Sequence, residues 1–227
     1  GCPYSCTFCQ EGNGYYSRIN YHSLEYVKKE LDYIAERVNP EVGLFIVDSN
    51  FGMYRQDVEI AKAISEIQKK TGWPKFVETA LGKSKKVMEV IKILEGSLQG
   101  EVAIQSTDKD VLEKVKRKNV PDETQIEVKD HSDATMGSFF SEVILGLPGD
   151  TLEKHKKSMC DMIDKEFNVV RSHQLLLLPD SEMYTKEYRN KYGMVTRFRL
   201  QPKCLEEFKL YNETFPCAEI DEVCVEN

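Results

Sequence analysis

Five apolar runs, each followed by an amphipathic stretch, alternate along this 227-residue chain and restrict its fold more than any other feature. Val42–Val47 is the first, a continuous run of the kind expected in a strand buried on both faces of a parallel sheet. Asp48-Ser49-Asn50-Phe51-Gly52 ends it, and a helix follows with Val58, Ala61, Ile64 and Ile67 on one side until Thr71-Gly72 stops it. Lys75–Thr79 is the second strand, ahead of a helix through Val87, Val90, Ile91 and Leu94. Glu101–Gln105 is the third, and Ser106-Thr107-Asp108 cap a helix bearing Val111, Leu112 and Val115. The polar stretch after Asn119 predicts a helix over Asp122–Ala134. Phe139–Leu147 and Val169–Leu178 complete the set, separated by a helix that starts at Thr151. Ahead of the first strand, Ser23 caps a helix whose apolar face is Leu24, Val27, Leu31, Ile34 and Val38.

Short connections between such units imply parallel strands with right-handed helical crossovers, hence an α/β fold. Pattern alone does not separate a barrel from an open doubly wound sheet, but both bind ligands at the carboxyl ends of their strands. A chain opening on Gly1 reads as a fragment, with one further strand expected upstream. From about Ser181 the tail reads as a helical extension in two pieces, Tyr184–Tyr192 and Lys203–Asn212. The expected division is therefore a core over residues 1–180 and a helical C-terminal extension over 181–227.

The second constraint is chemical. Cys2, Cys6 and Cys9 have the spacing C-x3-C-x2-C, with Phe8 just before the last. A short loop carrying three thiolates can hold three irons of a cubane cluster and leave the fourth iron without a protein ligand. Structural zinc takes four protein ligands, often as two C-x2–4-C pairs, and no second pair stands nearby. Seven cysteines is an odd count, and nothing marks the chain as secreted, which disfavours a disulfide framework. Cys160, Cys204, Cys217 and Cys224 lie outside the loop; the last three raise the thought of an auxiliary cluster, against the plainer reading of small buried hydrophobes.

The cysteine motif resembles that of the radical S-adenosylmethionine (radical SAM) enzymes, and the strand-end segments extend the resemblance to about residue 180. Asp48–Gly52, Glu78-Thr79, Gln105–Asp108 with Arg117-Lys118-Asn119, Ile144–Thr151 and Gln174–Pro179 are similar to that family's successive strand-end signatures. The resemblance is nearest to the branch that often carries an N-terminal cobalamin-binding domain. It implies a partial (β/α)6 TIM-like barrel whose first strand precedes Gly1. It also implies a 4Fe–4S cluster on Cys2, Cys6 and Cys9, with S-adenosylmethionine cleaved reductively to a 5′-deoxyadenosyl radical that takes hydrogen from a small-molecule substrate. Methylation, cyclisation and rearrangement are the candidate outcomes. A low-potential electron-donor protein is the expected partner, and cobalamin would enter through a domain outside these residues. The alternative is a non-catalytic iron–sulfur or zinc-binding interaction protein.

Transferred residue by residue, the resemblance puts Phe8 beside the adenine and gives Ser49 and Asn50 the cofactor's amino group. Glu78 would meet ribose or ammonium, Gln105 and Ser106 ribose or carboxylate, and Arg117 would pair with the carboxylate. Gly146 would leave room for adenine against the backbone, with Ile144 and Leu178 as apolar walls. Plainer readings stand beside these: an Asx turn at Asn50, a helix cap at Ser106 or Thr107, and a solvated basic face for Arg117 within Lys114–Lys118. Tyr4 is loop packing or a cofactor contact. His173 and Gln174 on the last strand point into the barrel or are satisfied structurally.

Composition closes off other classes. Lys and Arg number 31 against 38 Asp and Glu, a net charge of −7 without a long basic run, which argues against general nucleic-acid binding. No apolar stretch approaches the length of a membrane span, and a reducing, cytoplasmic location suits an oxygen-sensitive cluster.

Overall fold

A computed structural model describes residues 1–98, 100–134, 139–211 and 213–227. The βα alternation is present in the expected order: β1 (Leu44–Phe51), α2 (Arg55–Thr71), β2 (Val77–Leu81), α3 (Val87–Ile93), β3 (Gly100–Ala103), α4 (Lys109–Lys114), α5 (Asp122–Ala134), β4 (Phe139–Leu145), α6 (Leu152–Asp164) and β5 (Val169–Gln174), with α1 (Leu24–Ala35) in front. β1 pairs parallel with β2, and β3–β4–β5 form a parallel sheet in that order. A parallel bridge from Val77 to Leu98, with the Val77 N–H donating to the Ser97 carbonyl at 2.8 Å, links the two sheets. The five strands thus run in chain order around an arc, a partial barrel with helices outside.

Local chemistry sets the helix ends. Ser23, Thr151 and Asp108 each accept a backbone N–H of the first helical turn through the side chain, an interaction typically worth ~1 kcal/mol. Gly72 stops α2 at φ +77, the left-handed conformation a glycine adopts without penalty.

Strand side chains alternate between the helix layer and the concave face. Leu44 and Ile46 pack onto a core of Leu31, Val58, Ile64, Trp73, Val77 and Leu94, while Val102, Ile104 and Val143 meet Val87, Ile91 and Met162 in a second core. β1 is therefore not buried on both faces as expected. Phe45 and Val47 point to the concave side and are 63% and 88% exposed. Phe45, Phe76, Glu78, Phe140, Glu142 and Arg171 line an open cavity of about 410 Å³ on that side. Glu142 lies 3.4 Å from both Arg171 and His173.

The tail departs from expectation. A 3-10 turn at Glu182–Tyr184 and α7 (Lys186–Tyr192) fulfil the first helical piece. The second, expected at Lys203–Asn212, lies instead up to Leu210 in β6 (Val195–Leu210), which forms an antiparallel hairpin with β7 (Glu213–Glu226); Asn212 lies outside the described residues. Val195-Thr196-Arg197-Phe198-Arg199-Leu200 carries a strand-type alternation, and Tyr211 makes the turn at φ +49. The base of β7 continues the sheet beyond β5: Leu177 N–H donates to Glu222 O and Cys224 N–H to Leu175 O. A third core of Val111, Val115, Leu147, Leu175, Met183 and Tyr188 ties this tail to the barrel.

Candidate functional site

The cysteine loop lies across the carboxyl ends of the strands as a chain of turns. Cys9 N–H donates to Cys6 O at 3.1 Å, and Gly12 N–H to Cys9 O at 3.0 Å. Gly12 has to be glycine, since a Cβ there would come within 2.2 Å of the Cys6 carbonyl oxygen. Thr7, only 1% exposed, is the anchor. Its N–H donates to Val115 O at 3.1 Å, and its carbonyl accepts from Met183 N–H at 2.9 Å. Its hydroxyl lies 3.0 Å from that of Tyr188, which in turn donates to Lys114 O at 3.1 Å. Burial pushes the Tyr188 hydroxyl up to about 12, so it stays protonated and keeps donating. The Thr7 hydroxyl is then the donor to Tyr188.

Cys2, Cys6 and Cys9 line one cavity of about 150 Å³ together with Tyr4, Phe8, Ser49, Asn50, Gly82, Lys83 and Arg117. Burial pushes the Cys9 thiol and the Tyr4 hydroxyl up from their ordinary values. Among the described residues, no three His, Cys, Asp or Glu side chains converge on a point that would hold one metal ion. A cubane asks for something different, three thiolates on three separate irons.

Three of the residues that line the cavity carry donors with nothing to donate to. Asn50 Nδ2, Lys83 Nζ and Arg117 Nε are buried and have no hydrogen-bond partner. The Lys83 ammonium rests 4.0 Å from the centroid of the Tyr4 ring, a cation–π contact. Its pKa is pushed down to about 8 by burial, with the neighbouring Arg117 guanidinium acting in the same direction. Unsatisfied buried donors cost about 1–3 kcal/mol each, more when charged, so such a group points to a missing acceptor. An anionic, acceptor-rich ligand fits this donor set, as three thiolates on a cluster with a carboxylate-bearing cofactor would.

Sequence reasoning found part of this site. Phe8, Ser49 and Asn50 lie on the wall of the cavity that the three cysteines line. The Asx turn exists, but Asp48 makes it, its Oδ1 accepting Asn50 N–H at 2.7 Å, which leaves the Asn50 side chain free to face the cavity. Arg117 is not on a solvated basic face. Lys116 adopts φ +53 just past α4, so the basic run turns: Lys116 pairs with Glu182 at 2.6 Å, while Arg117 goes inward and its Nη2 donates to Ala103 O at 2.5 Å. Lys83 and Gly82 were missed because β2 runs to Leu81, two residues beyond the expected strand end at Thr79.

Other expected residues lie elsewhere. Glu78 sits within β2 and lines the concave cavity with Phe45 and Phe140 instead of the cysteine site. Gln105 is buried, and its backbone carbonyl accepts from Ile144 N–H at 2.9 Å. The Ser106 hydroxyl accepts Asp108 N–H and lies 3.4 Å from the Ser158 hydroxyl, but the helix cap read for Ser106 or Thr107 is made by Asp108, whose Oδ1 accepts Val111 N–H at 3.0 Å. Ile144 packs on the third core, and Leu178 is 38% exposed. Gly146 has φ +88, and a Cβ there would meet only Cys224 O at 3.8 Å and Leu175 Cβ at 3.9 Å. Its carbonyl accepts from the Asn227 side chain. Of the remaining cysteines, Cys160 and Cys217 are exposed and Cys224 is buried.

Residues 1–159 match the family model described as the Radical SAM superfamily. Over 202 residues, 86% of this chain, the sequence is 30% identical to a 2-(S-pantetheinyl)-carbapenam-3-carboxylate methyltransferase of Streptantibioticus cattleyicolor. It is 31% identical over 202 residues to the cobalamin-dependent radical SAM methyltransferase TokK of Streptomyces tokunonensis. The match covers 29% of each relative's length. Among solved structures, the radical SAM methyltransferase TsrM from Kitasatospora setae, with cobalamin and a [4Fe-4S] cluster bound, superposes with a TM-score of 0.68. That superposition covers 91% of this chain and 38% of TsrM at 16% identity, so it speaks for the fold. With the cysteine loop, the strand-end cavity and the partial barrel in place, the chain belongs to the radical SAM superfamily, whose cofactors are a 4Fe–4S cluster and S-adenosylmethionine.

Proposed function

We propose that this chain is the radical-generating domain of a cobalamin-dependent methyltransferase acting on a small-molecule substrate. The observation that carries the reading is the convergence of three cysteines and three acceptor-less donors on one cavity at the strand ends. The curated relatives, whose names specify methyl transfer and in one case cobalamin, favour methylation over cyclisation or rearrangement. Cys2, Cys6 and Cys9 would hold three irons, and Phe8, Ser49 and Asn50 would orient S-adenosylmethionine from the cavity wall. Gly146, Ile144 and Leu178 would border its adenine, and Glu78, Gln105 and Ser106 would act from further along the strands. When bound, the reduced cluster supplies the electron that cleaves S-adenosylmethionine to methionine and a 5′-deoxyadenosyl radical. The chain's own part is to clamp the thiolates through Thr7, exclude water with Tyr4 and Phe8, and place positive charge opposite the loop.

The core over residues 1–180 would carry this chemistry and residues 181–227 would brace it. Cobalamin would be held by a further domain, and a low-potential electron-transfer protein would reduce the cluster. Among the described residues no helix is long and apolar enough to cross a membrane, in keeping with a cytoplasmic enzyme. The test is anaerobic reconstitution of the whole protein, followed by dithionite reduction with S-adenosylmethionine. The wild type should form 5′-deoxyadenosine and bind about four irons per chain, and Cys6→Ala should do neither. Equal 5′-deoxyadenosine formation by Cys6→Ala would refute the proposal.

A further inference from the structure

The concave face of the barrel carries charges that the cysteine cavity does not use. Glu78 on β2 lines the open cavity of about 410 Å³, and among the described residues its carboxylate has no hydrogen bond and no ion pair. Phe45 is its register partner on β1, and Phe76 is its same-face neighbour two residues earlier. The Phe76 ring lies on Gly43, where a Cβ would run into it. On another wall of the same cavity, Arg171 of β5 rests 4.6 Å from the centroid of the Phe140 ring. Its Nη1 donates to Glu142 Oε1 at 3.4 Å, an oxygen that also lies 3.4 Å from His173 Nε2. One donor of the guanidinium is thus engaged at the limit of bonding distance, and the rest of its fork has no partner among the described residues.

From this geometry we infer that the concave cavity binds a substrate carrying an ammonium group at one end and a carboxylate at the other, joined by an apolar spacer. The inference rests on the reading given under Proposed function and names the class of molecule that is methylated. A carboxylate flanked by aromatic rings selects an organic cation, because the ring faces attract positive charge and also supply apolar contact. A bare metal ion is a poorer match, since among the described residues no three His, Cys, Asp or Glu converge on a point. The guanidinium fork matches a carboxylate through two parallel bonds. A simple anion would leave Glu78 facing it, and a simple cation would leave Arg171. The spacer follows from the sheet order. β2 and β5 stand three strand spacings apart along the arc, about 14 Å before curvature shortens it, so adjacent charges on one carbon would not reach both walls. Ala80 lines both this cavity and the cysteine cavity, which places the ligand next to the reacting site.

The experiment uses the whole protein, anaerobically reconstituted, as wild type, Glu78→Gln and Arg171→Gln. Three ligands of similar size are titrated into each by calorimetry. They are para-(aminomethyl)benzoate with both charges, para-methylbenzylamine with the cation alone, and para-methylbenzoate with the anion alone. The wild type should bind the doubly charged ligand at least tenfold more tightly than either of the others. Glu78→Gln should erase its advantage over para-methylbenzoate, and Arg171→Gln its advantage over para-methylbenzylamine. Glu78 has no partner to lose, so its variant decides the matter if Arg171→Gln fails to fold. Three results would overturn the inference: no binding of the doubly charged ligand at millimolar concentration, equal affinity for it and a singly charged one, or a preference that survives Glu78→Gln. Formation of 5′-deoxyadenosine by the wild type is measured alongside. Its presence without discrimination among the ligands overturns the substrate class alone. Discrimination without it leaves the dipolar site standing and overturns the radical reading.

Discussion

Two polar clusters sit at neighbouring strand ends of the barrel and differ in one respect. In the first, Thr107 N–H donates to Ser158 Oγ at 3.0 Å and the Thr107 hydroxyl to Asp161 Oδ2 at 2.6 Å, while Lys157 pairs with the same carboxylate. None of these side chains has a buried atom without a partner. In the second, Asn50, Lys83 and Arg117 gather donors that find no acceptor. A closed network stiffens the junction of β3 with α6. An open one at the same depth destabilises the protein unless something else completes it, so the open cluster is the place where a ligand contributes free energy.

That contrast can be broken at several points. The largest expected effect is Cys6→Ala beside the open cluster: iron uptake should fall to background, whereas Cys224→Ala, in the third core, should leave iron content unchanged. Metal analysis after reconstitution decides it, and comparable loss in both variants would remove the special status of the loop.

Next in size is Ser158→Ala in the closed network. It strips an acceptor from Thr107 N–H and should cost about 1–3 kcal/mol. A urea midpoint shifted downward with an unchanged slope would show this. An unshifted midpoint would mean that the network is not holding the junction.

A smaller effect concerns the base of the hairpin, where Glu222 is bonded to Arg189 and Thr196. Glu222 accepts from Arg189 Nη2 at 2.9 Å and from the Thr196 hydroxyl at 2.6 Å, and its carboxyl is held below the ordinary glutamate range chiefly by the Arg189 bond. A pKa depressed in the folded state contributes stability above the unfolded-state pKa, and that contribution is lost as pH falls through the folded value. Glu222→Gln should therefore lower stability at pH 7 by about 1 kcal/mol and flatten the acid limb of the stability profile. An acid limb identical to wild type would exclude this pair as its source.

The smallest effect is expected at Asn50. Asn50→Leu removes a buried donor that bonds to nothing, so without ligand the midpoint should hold or rise slightly. A loss matching that of Ser158→Ala would make Asn50 a structural residue and dissolve the contrast.

Much of the barrel was legible because its determinants are local. Ser23 and Thr151 announce helix starts, Gly72 a helix end, and the apolar runs mark the five strands. The site was half legible. Cysteine spacing marks the loop, but the inward turn of Arg117 depends on one left-handed residue, Lys116, in a run that reads as surface charge. Lys83 was hidden because the end of β2 is decided by its pairing with β1, where the register slips between Ile46 and Phe51. The hairpin escaped for a related reason. β7 is anchored on Leu175 and Leu177, about fifty positions away in the chain, so no short window reveals it.

The grip on Thr7 bears on how this protein can be dissected. The span matched to the superfamily model stops at residue 159, yet Met183 and Tyr188 supply two of the bonds that fix the cysteine loop. A shortened version cut at that boundary would keep Cys2, Cys6 and Cys9 and lose the clasp that shapes their backbone. Any trimmed piece intended for cluster loading therefore has to extend past Tyr188. The edge of the family model is not the edge of the cysteine loop's scaffold.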